Sequence, residues 1–128
     1  MLKNWRYEGA VVVELEARRK LYQLQSDLCH GLCAHPKRLE IIDLLKEGEK
    51  SVSQLSSITG YSKANVSQHL TALRRVKIVE ARREGASAFY RIINPKLIEA
   101  CNTIQRVLLD QLLKDEKASR SIRESTTG

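Results

Sequence analysis

Apolar residues recur three or four positions apart along most of this chain, and the places where that rhythm stops divide it into helices. Val13, Ala17, Leu21, Leu24, Leu28 and Leu32 fall on one stripe, which predicts a first helix from about Gly9 to Cys33, with Gly31 as the position able to break it in two. A second helix starts at Pro36, whose missing N–H costs nothing in a first turn, and carries Leu39, Ile42 and Leu45 toward Gly48. Ser51 and Gln54 stand at capping-box spacing before Leu55 and Ile58, which predicts a short third helix with a small buried face, closed by Gly60. Ser62 caps a fourth helix, with Tyr61 and Val66 placed as a hydrophobic staple and Val66, Leu70 and Leu73 as the inward face.

The period then drops to two. Val79 and Ala81, followed by Tyr90 and Ile92, alternate with Glu80, Arg82 and Arg91 around Gly85, which predicts a hairpin with Arg82 and Arg83 near its tip. Asn94 and Pro95 open a last long helix running to about Leu113, with Leu97, Cys101, Ile104, Leu108 and Leu112 in line and Ile98, Val107, Leu109 and Leu113 widening the apolar arc. Residues 115–128 lose the apolar period and read as a disordered polar tail, leaving 1–114 as one domain. The fold class is mainly α with a small β-hairpin, arranged as a winged helix-turn-helix. A compact winged domain covers only part of the apolar arcs on the first and last helices, so the pattern predicts a homodimer formed through those two helices.

Charge gives this scaffold a function. The 128 residues carry a formal net charge of +7, and the stretch 61–92 alone holds seven Lys and Arg against two Glu. No acid occurs from Ser62 to Val79. Ser62, Lys63, Asn65, Ser67, Gln68, Thr71, Arg74 and Arg75 stand outward or at the flank of the fourth helix, able to donate to phosphates or to base edges in a major groove. His69 sits at the edge of the buried face, as a groove contact or as a packed histidine. With Arg82 and Arg83 on the wing, the stretch has the electrostatic footprint of a surface for double-stranded DNA. A winged domain turned into a protein-interaction module is the competing class; its recognition face would be acidic or apolar, which the acid-free stretch opposes. The apolar run Ala10 to Val13 is too short for a signal-peptide core or a membrane span, so a cytoplasmic protein without a membrane partner is expected. With no phosphate-cradling glycine loop, no paired carboxylates in a plausible cleft and no nucleophile with an identifiable base, an enzyme is not expected.

Three segments taken together, AHPKRLEIIDLLKEGEKSV from Ala34 to Val52, LSSITGYSKANVSQHLTALRRVKIV from Leu55 to Val79 and ARREGASAFYRI from Ala81 to Ile92, resemble the ArsR/SmtB type of winged helix-turn-helix repressors. The resemblance covers about residues 24–113. It implies a symmetric dimer on an inverted-repeat operator, released when an effector binds, with Lys63, Asn65, Ser67, Gln68 and His69 in the groove. It also marks departures. Ser51 and Ser53 stand where metalloid-sensing members have a Cys-x-Cys pair. No His follows His69, and Asp110 lacks an evident partner for an ion site on the last helix. Asp43 replaces the cysteine common in persulfide-sensing members. Ala86 occupies the wing-tip position that usually bears a further basic residue.

Cys29, Cys33 and Cys101 are the remaining candidates for an effector site. Cys29 and Cys33 are four apart, so an unbroken helix points both thiols from one face, and Cys101 is a candidate third ligand. Three readings stand side by side: a soft metal or metalloid ion such as As(III), Cd(II) or Pb(II); a dithiol or persulfide switch; or cysteines that merely fill apolar slots between helices.

Overall fold

The computed structural model of the protein describes residues 9–113 and 115–127, and their side chains at 14–113, 115 and 120–126. The elements run α1 (Gly9–Cys33), α2 (Pro36–Leu45), β1 (Lys50–Ser51), α3 (Val52–Thr59), α4 (Lys63–Arg75), β2 (Val79–Glu84), β3 (Ser87–Ile92), α5 (Lys96–Leu112) and α6 (Glu116–Thr127). They gather into two compact units, one reaching to Ile92 and one starting at Ile93, where the sequence pattern had suggested a single domain to residue 114. Among the described residues no helix is long and apolar enough to cross a membrane.

The core of the first unit is built from the stripes of α2, α3 and α4. Ile41, Leu55, Val66, Leu70 and Leu73 have no exposed surface, and Leu32, Ile42, Leu45, Ile78 and Val79 are almost as deeply buried. Two positions depart from expectation. The buried face of α2 centres on Ile41, Ile42 and Leu45, with Leu39 at its half-buried edge. Ile58 is 55% exposed, because the eight-residue α3 turns only its Leu55 side to the core.

The helix α1 continues through Gly31 without a break. The glycine serves close approach instead, since a Cβ there would lie 3.2 Å from both methyls of Val76 at the end of α4. Upstream, Leu21 and Leu24 of the predicted stripe are more than half exposed, and Val13 lies outside the described side chains.

Local hydrogen bonds fix both ends of the helix-turn-helix. The Ser51 hydroxyl accepts from the Gln54 N–H while the Gln54 amide oxygen accepts from the Ser51 N–H, a complete capping box. Gly60 closes α3 with φ of 80°, a left-handed conformation that glycine adopts without steric cost. In the turn beyond it, the Ser56 hydroxyl donates to the Tyr61 carbonyl at 2.6 Å. Ser62 then caps α4, accepting from the Asn65 N–H at 3.1 Å. At the far end the Ile78 N–H donates to the Leu73 carbonyl and the Lys77 N–H to the Arg74 carbonyl, the two bonds of a Schellman motif. Its left-handed position is taken by Lys77 at φ 61°, a backbone conformation that usually selects glycine.

The hairpin closes at Gly85 and Ala86, beyond the last pair Glu84↔Ser87. A third strand not apparent in the sequence joins it: β1 pairs antiparallel with β3, giving the order β1-β3-β2. Two residues are too few to show an alternation, so only tertiary pairing reveals the strand. Arg82 and Arg83 stand back from the tip, opposite Phe89 and Ala88, on opposite faces of the sheet.

In the second unit, α5 buries none of its residues, and Ile104, Val107, Leu108 and Leu113 are each about half exposed. Residues 115–128, expected as a disordered tail, form the helix α6 over Glu116–Thr127, a stretch whose Glu, Lys, Ala and Arg are strong helix formers; 114 and 128 lie outside the described residues.

The capping box yields a stability prediction. Ser51→Ala removes the acceptor for the Gln54 N–H at a nearly buried site, and urea denaturation is expected to show a loss of about 1 kcal/mol.

Candidate nucleic-acid interface

With Val66, Leu70 and Leu73 committed to the core, the helical period turns Lys63, Gln68, Thr71, Arg74 and Arg75 to the outside, and all five are exposed. Asn65 and Ser67 are half-buried at the flank, and Ser62 is exposed at the cap. The Thr71 hydroxyl donates to the Ser67 carbonyl, which leaves its oxygen free to accept. Lys37 of α2 adds a cation that sequence reasoning passed over: its ammonium lies 4.6 Å from the centre of the Tyr61 ring and 3.5 Å from Asn65 Oδ1. Tyr61 is itself held by a hydrogen bond from its hydroxyl to Glu40, which raises the phenol's pKa. The face therefore combines a rigid helix, the four cations Lys37, Lys63, Arg74 and Arg75 and several amide and hydroxyl donors, which suits a groove lined by phosphates and base edges.

His69 takes the packed alternative. Its Nδ1 accepts a hydrogen bond of 3.1 Å from Arg38 Nε, and its ring lies 6.3 Å from that of His35, which is 6.0 Å from His30. The period explains this: His69 precedes Leu70 and stands three residues after Val66, at the edge of the inward stripe. Arg38 also donates to the Gly31 carbonyl at 2.7 Å, so one guanidinium ties the end of α1 to the recognition helix α4. These partners are 7 and 31 residues from Arg38, and the longer separation has no local sequence signal. Burial, and then the charge of Arg38, lowers the pKa of both His69 and His35.

The two wing arginines divide. Arg82 donates from Nε to both carboxylate oxygens of Glu49 at 3.0 Å and from Nη1 to Glu84 at 2.7 Å, while its guanidinium lies 4.8 Å from the centre of the Phe89 ring. These bonds lower the Glu49 pKa and raise that of Arg82. Arg91 is ion-paired to Glu80 on the same face. Arg82 is thus drawn into the sheet's own charge network, whereas Arg83 is exposed on the other face.

Cys29 and Cys33 are both exposed on the continuous α1, which removes the apolar-slot reading for these two within a single chain, and Cys101 is half-buried. The Cys33 thiol is pushed up by burial and then by the neighbouring Cys29. Among the described residues no group of three or more His, Cys, Asp or Glu side chains could hold a metal ion.

A capped helix presenting an acid-free basic face, a preceding short helix and an adjoining β-wing define a winged helix-turn-helix DNA-binding domain. Residues 35–81 match the model of the bacterial regulatory protein, arsR family. The chain is 40% identical over 108 residues to the HTH-type transcriptional regulator Rv0081 of Mycobacterium tuberculosis, covering 79% of this chain and 94% of that relative. The crystal structure of Rv0081 superposes with a TM-score of 0.64 at 37% identity, over 75% of this chain and 95% of that one. A homodimeric winged helix-turn-helix DNA-binding domain from Mycobacterium bovis, determined by solution NMR, superposes with a TM-score of 0.65 at 32% identity, over 71% of this chain and 83% of that one. A biofilm growth-associated repressor of Xylella fastidiosa is 36% identical over 78 residues, covering 61% of this chain and 68% of the relative. The chain belongs to the arsR family: it is a DNA-binding transcriptional regulator, not an enzyme.

The Arg38–His69 bond can be tested through its proton. Nδ1 must stay unprotonated to accept from Arg38, and the unfolded chain takes up a proton near the ordinary value of 6.5. Because the folded pKa is lower, this contribution to stability is complete above 6.5 and is lost as pH falls through the folded value. NMR titration of the His69 imidazole is expected to give a midpoint below 6.5, shifting part of the way back in Arg38→Ala. An unmoved midpoint in that variant would remove Arg38 from the contact.

Proposed function

We propose that this protein is a homodimeric, sequence-specific repressor that binds an inverted-repeat operator through Lys63, Asn65, Ser67, Gln68, Thr71, Arg74 and Arg75 and leaves it when an effector is sensed near Cys29 and Cys33. The observation that carries the DNA-binding core of this reading is the outward face of α4, exposed, basic and free of acids over Ser62–Val79. Dimerisation through α1 and α5 is supported by their exposed Leu21, Leu24, Ile104, Val107 and Leu108, which a second copy would remove from water, and by the homodimeric M. bovis domain. Repression is supported by the name of the Xylella relative. Two recognition helices about one DNA turn apart, ~34 Å, would read both half-sites together.

Sensing near the two thiols has a short route to the groove. Cys29 and Cys33 flank Gly31, which abuts Val76 at the end of α4 and whose carbonyl takes the Arg38 bond. A soft ion captured there by the two thiolates would shift α1 against α4, and a coupling of about 1–3 kcal/mol is enough for useful release. A dithiol or persulfide switch at the same pair is the second reading, supported by the exposure of both thiols one helical turn apart on α1.

In a salt-dependent mobility-shift assay on genomic fragments, Gln68→Ala is expected to weaken specific binding by about 1–3 kcal/mol. Unchanged, salt-insensitive binding would remove α4 as the reading head. The Cys29→Ser, Cys33→Ser double variant is expected to keep DNA affinity and to lose release by arsenite or cadmium if the site is metalloid-sensing, or by polysulfide or peroxide if it is redox-sensing. Normal release of the variant by all four would exclude the thiols.

A further inference from the structure

The wing and the recognition helix line a cleft of about 310 Å³, into which Lys63 and Ser67 of the α4 face also reach. Its walls bring together Ser53 at the start of α3, Lys63 and Ser67 of α4, and Arg83, Ser87 and Tyr90 of the wing, and no carboxylate lines it. Lys63 and Arg83 reach it from separate elements, and among the described residues neither forms an ion pair. The other two wing arginines are spent on the opposite face, Arg82 on Glu49 and Glu84 and Arg91 on Glu80. Of the wing's three arginines, Arg83 is the one without an acidic partner among the described residues. The hairpin tip, Gly85 and Ala86, has no side chain able to donate into a minor groove.

We propose that this cleft seats one DNA backbone phosphate, held between Arg83 and Lys63 with a hydroxyl donor from Ser53, and that the wing anchors DNA by this backbone contact and not by insertion of its tip. The inference rests on the DNA-binding reading above and adds to it a site, a ligand class and a division of labour. The α4 side chains beyond Lys63 read bases, while the cleft fixes register by gripping a phosphodiester, whose single negative charge is shared by two non-bridging oxygens that can each meet one cation.

A binding series on a duplex recovered with the wild-type protein tests this, with thermal denaturation confirming that each exposed-residue variant stays folded. Arg83→Ala and Lys63→Ala are each expected to weaken binding about tenfold, equally for matched and mismatched sequences. Because both cations neutralise the same phosphate, the double variant should lower the slope of log K against log salt by only about 0.9, the contribution of a single phosphate. One methylphosphonate substitution in the duplex should weaken the wild type and leave the double variant unaffected. Arg82→Ala should leave the slope unchanged.

If Arg83→Ala and Lys63→Ala bind like wild type while Gln68→Ala still weakens binding, the cleft proposal falls and the reading head stands. If Gln68→Ala is also silent, both fall. A slope change of about 1.8 in the double variant would mean two separate phosphates and overturn the shared seat. Displacement of the duplex by millimolar inorganic phosphate at constant ionic strength would reassign the cleft to a small free phosphate ligand and overturn the DNA proposal.

Discussion

Everything this molecule presents to a partner depends on the seating of one helix. Val66, Leu70 and Leu73 are fully buried, each contributing about 1.5–3 kcal/mol through the surface it removes from water, and they lock α4 against α2, α3 and β2. Rotating α4 by one residue would expose these side chains and bury Lys63 or Arg74 without a partner. The hydrophobic stripe therefore decides which side chains face outward as firmly as it decides the fold. Gly31 extends the same constraint to α1, since its missing side chain lets that helix rest on Val76.

Much of this was legible in the sequence because the determining interactions are local. The Ser51 and Ser62 caps, the αL turn at Gly60 and the inward triplet of α4 all act within four residues and leave a regular spacing behind. What escaped the sequence was set across space. Glu49 and Arg82 are 33 residues apart, and β1 owes its existence to pairing with β3. Gly31 carries no mark distinguishing a helix breaker from a close-contact residue; its role becomes visible only with Val76 against it. His69 lies at the boundary of two faces, half-buried, and its bond from Arg38 comes from a residue 31 positions away.

The electrostatic outcome also differs from a count of charges. The basic excess of residues 61–92 suggests a uniformly positive reading head, yet the outer sheet face is nearly self-neutralised by Glu49, Glu80 and Glu84. Positive potential is left concentrated where α4 and the inner wing face meet. Glu49 from outside the basic stretch, with Glu80 and Glu84 within it, thus shapes the binding surface by cancelling charge where it is not needed.

The Schellman motif at the end of α4 has a thermodynamic consequence for DNA association. With Ser62 capping one end of the helix and Lys77 accepting a left-handed backbone at the other, both termini are closed by bonds from within the chain. The helix is ordered before it meets DNA, so its backbone ordering entropy belongs to folding and not to association. Binding heat and heat capacity should then report desolvation, ion release and movement between rigid bodies, without a contribution from helix formation.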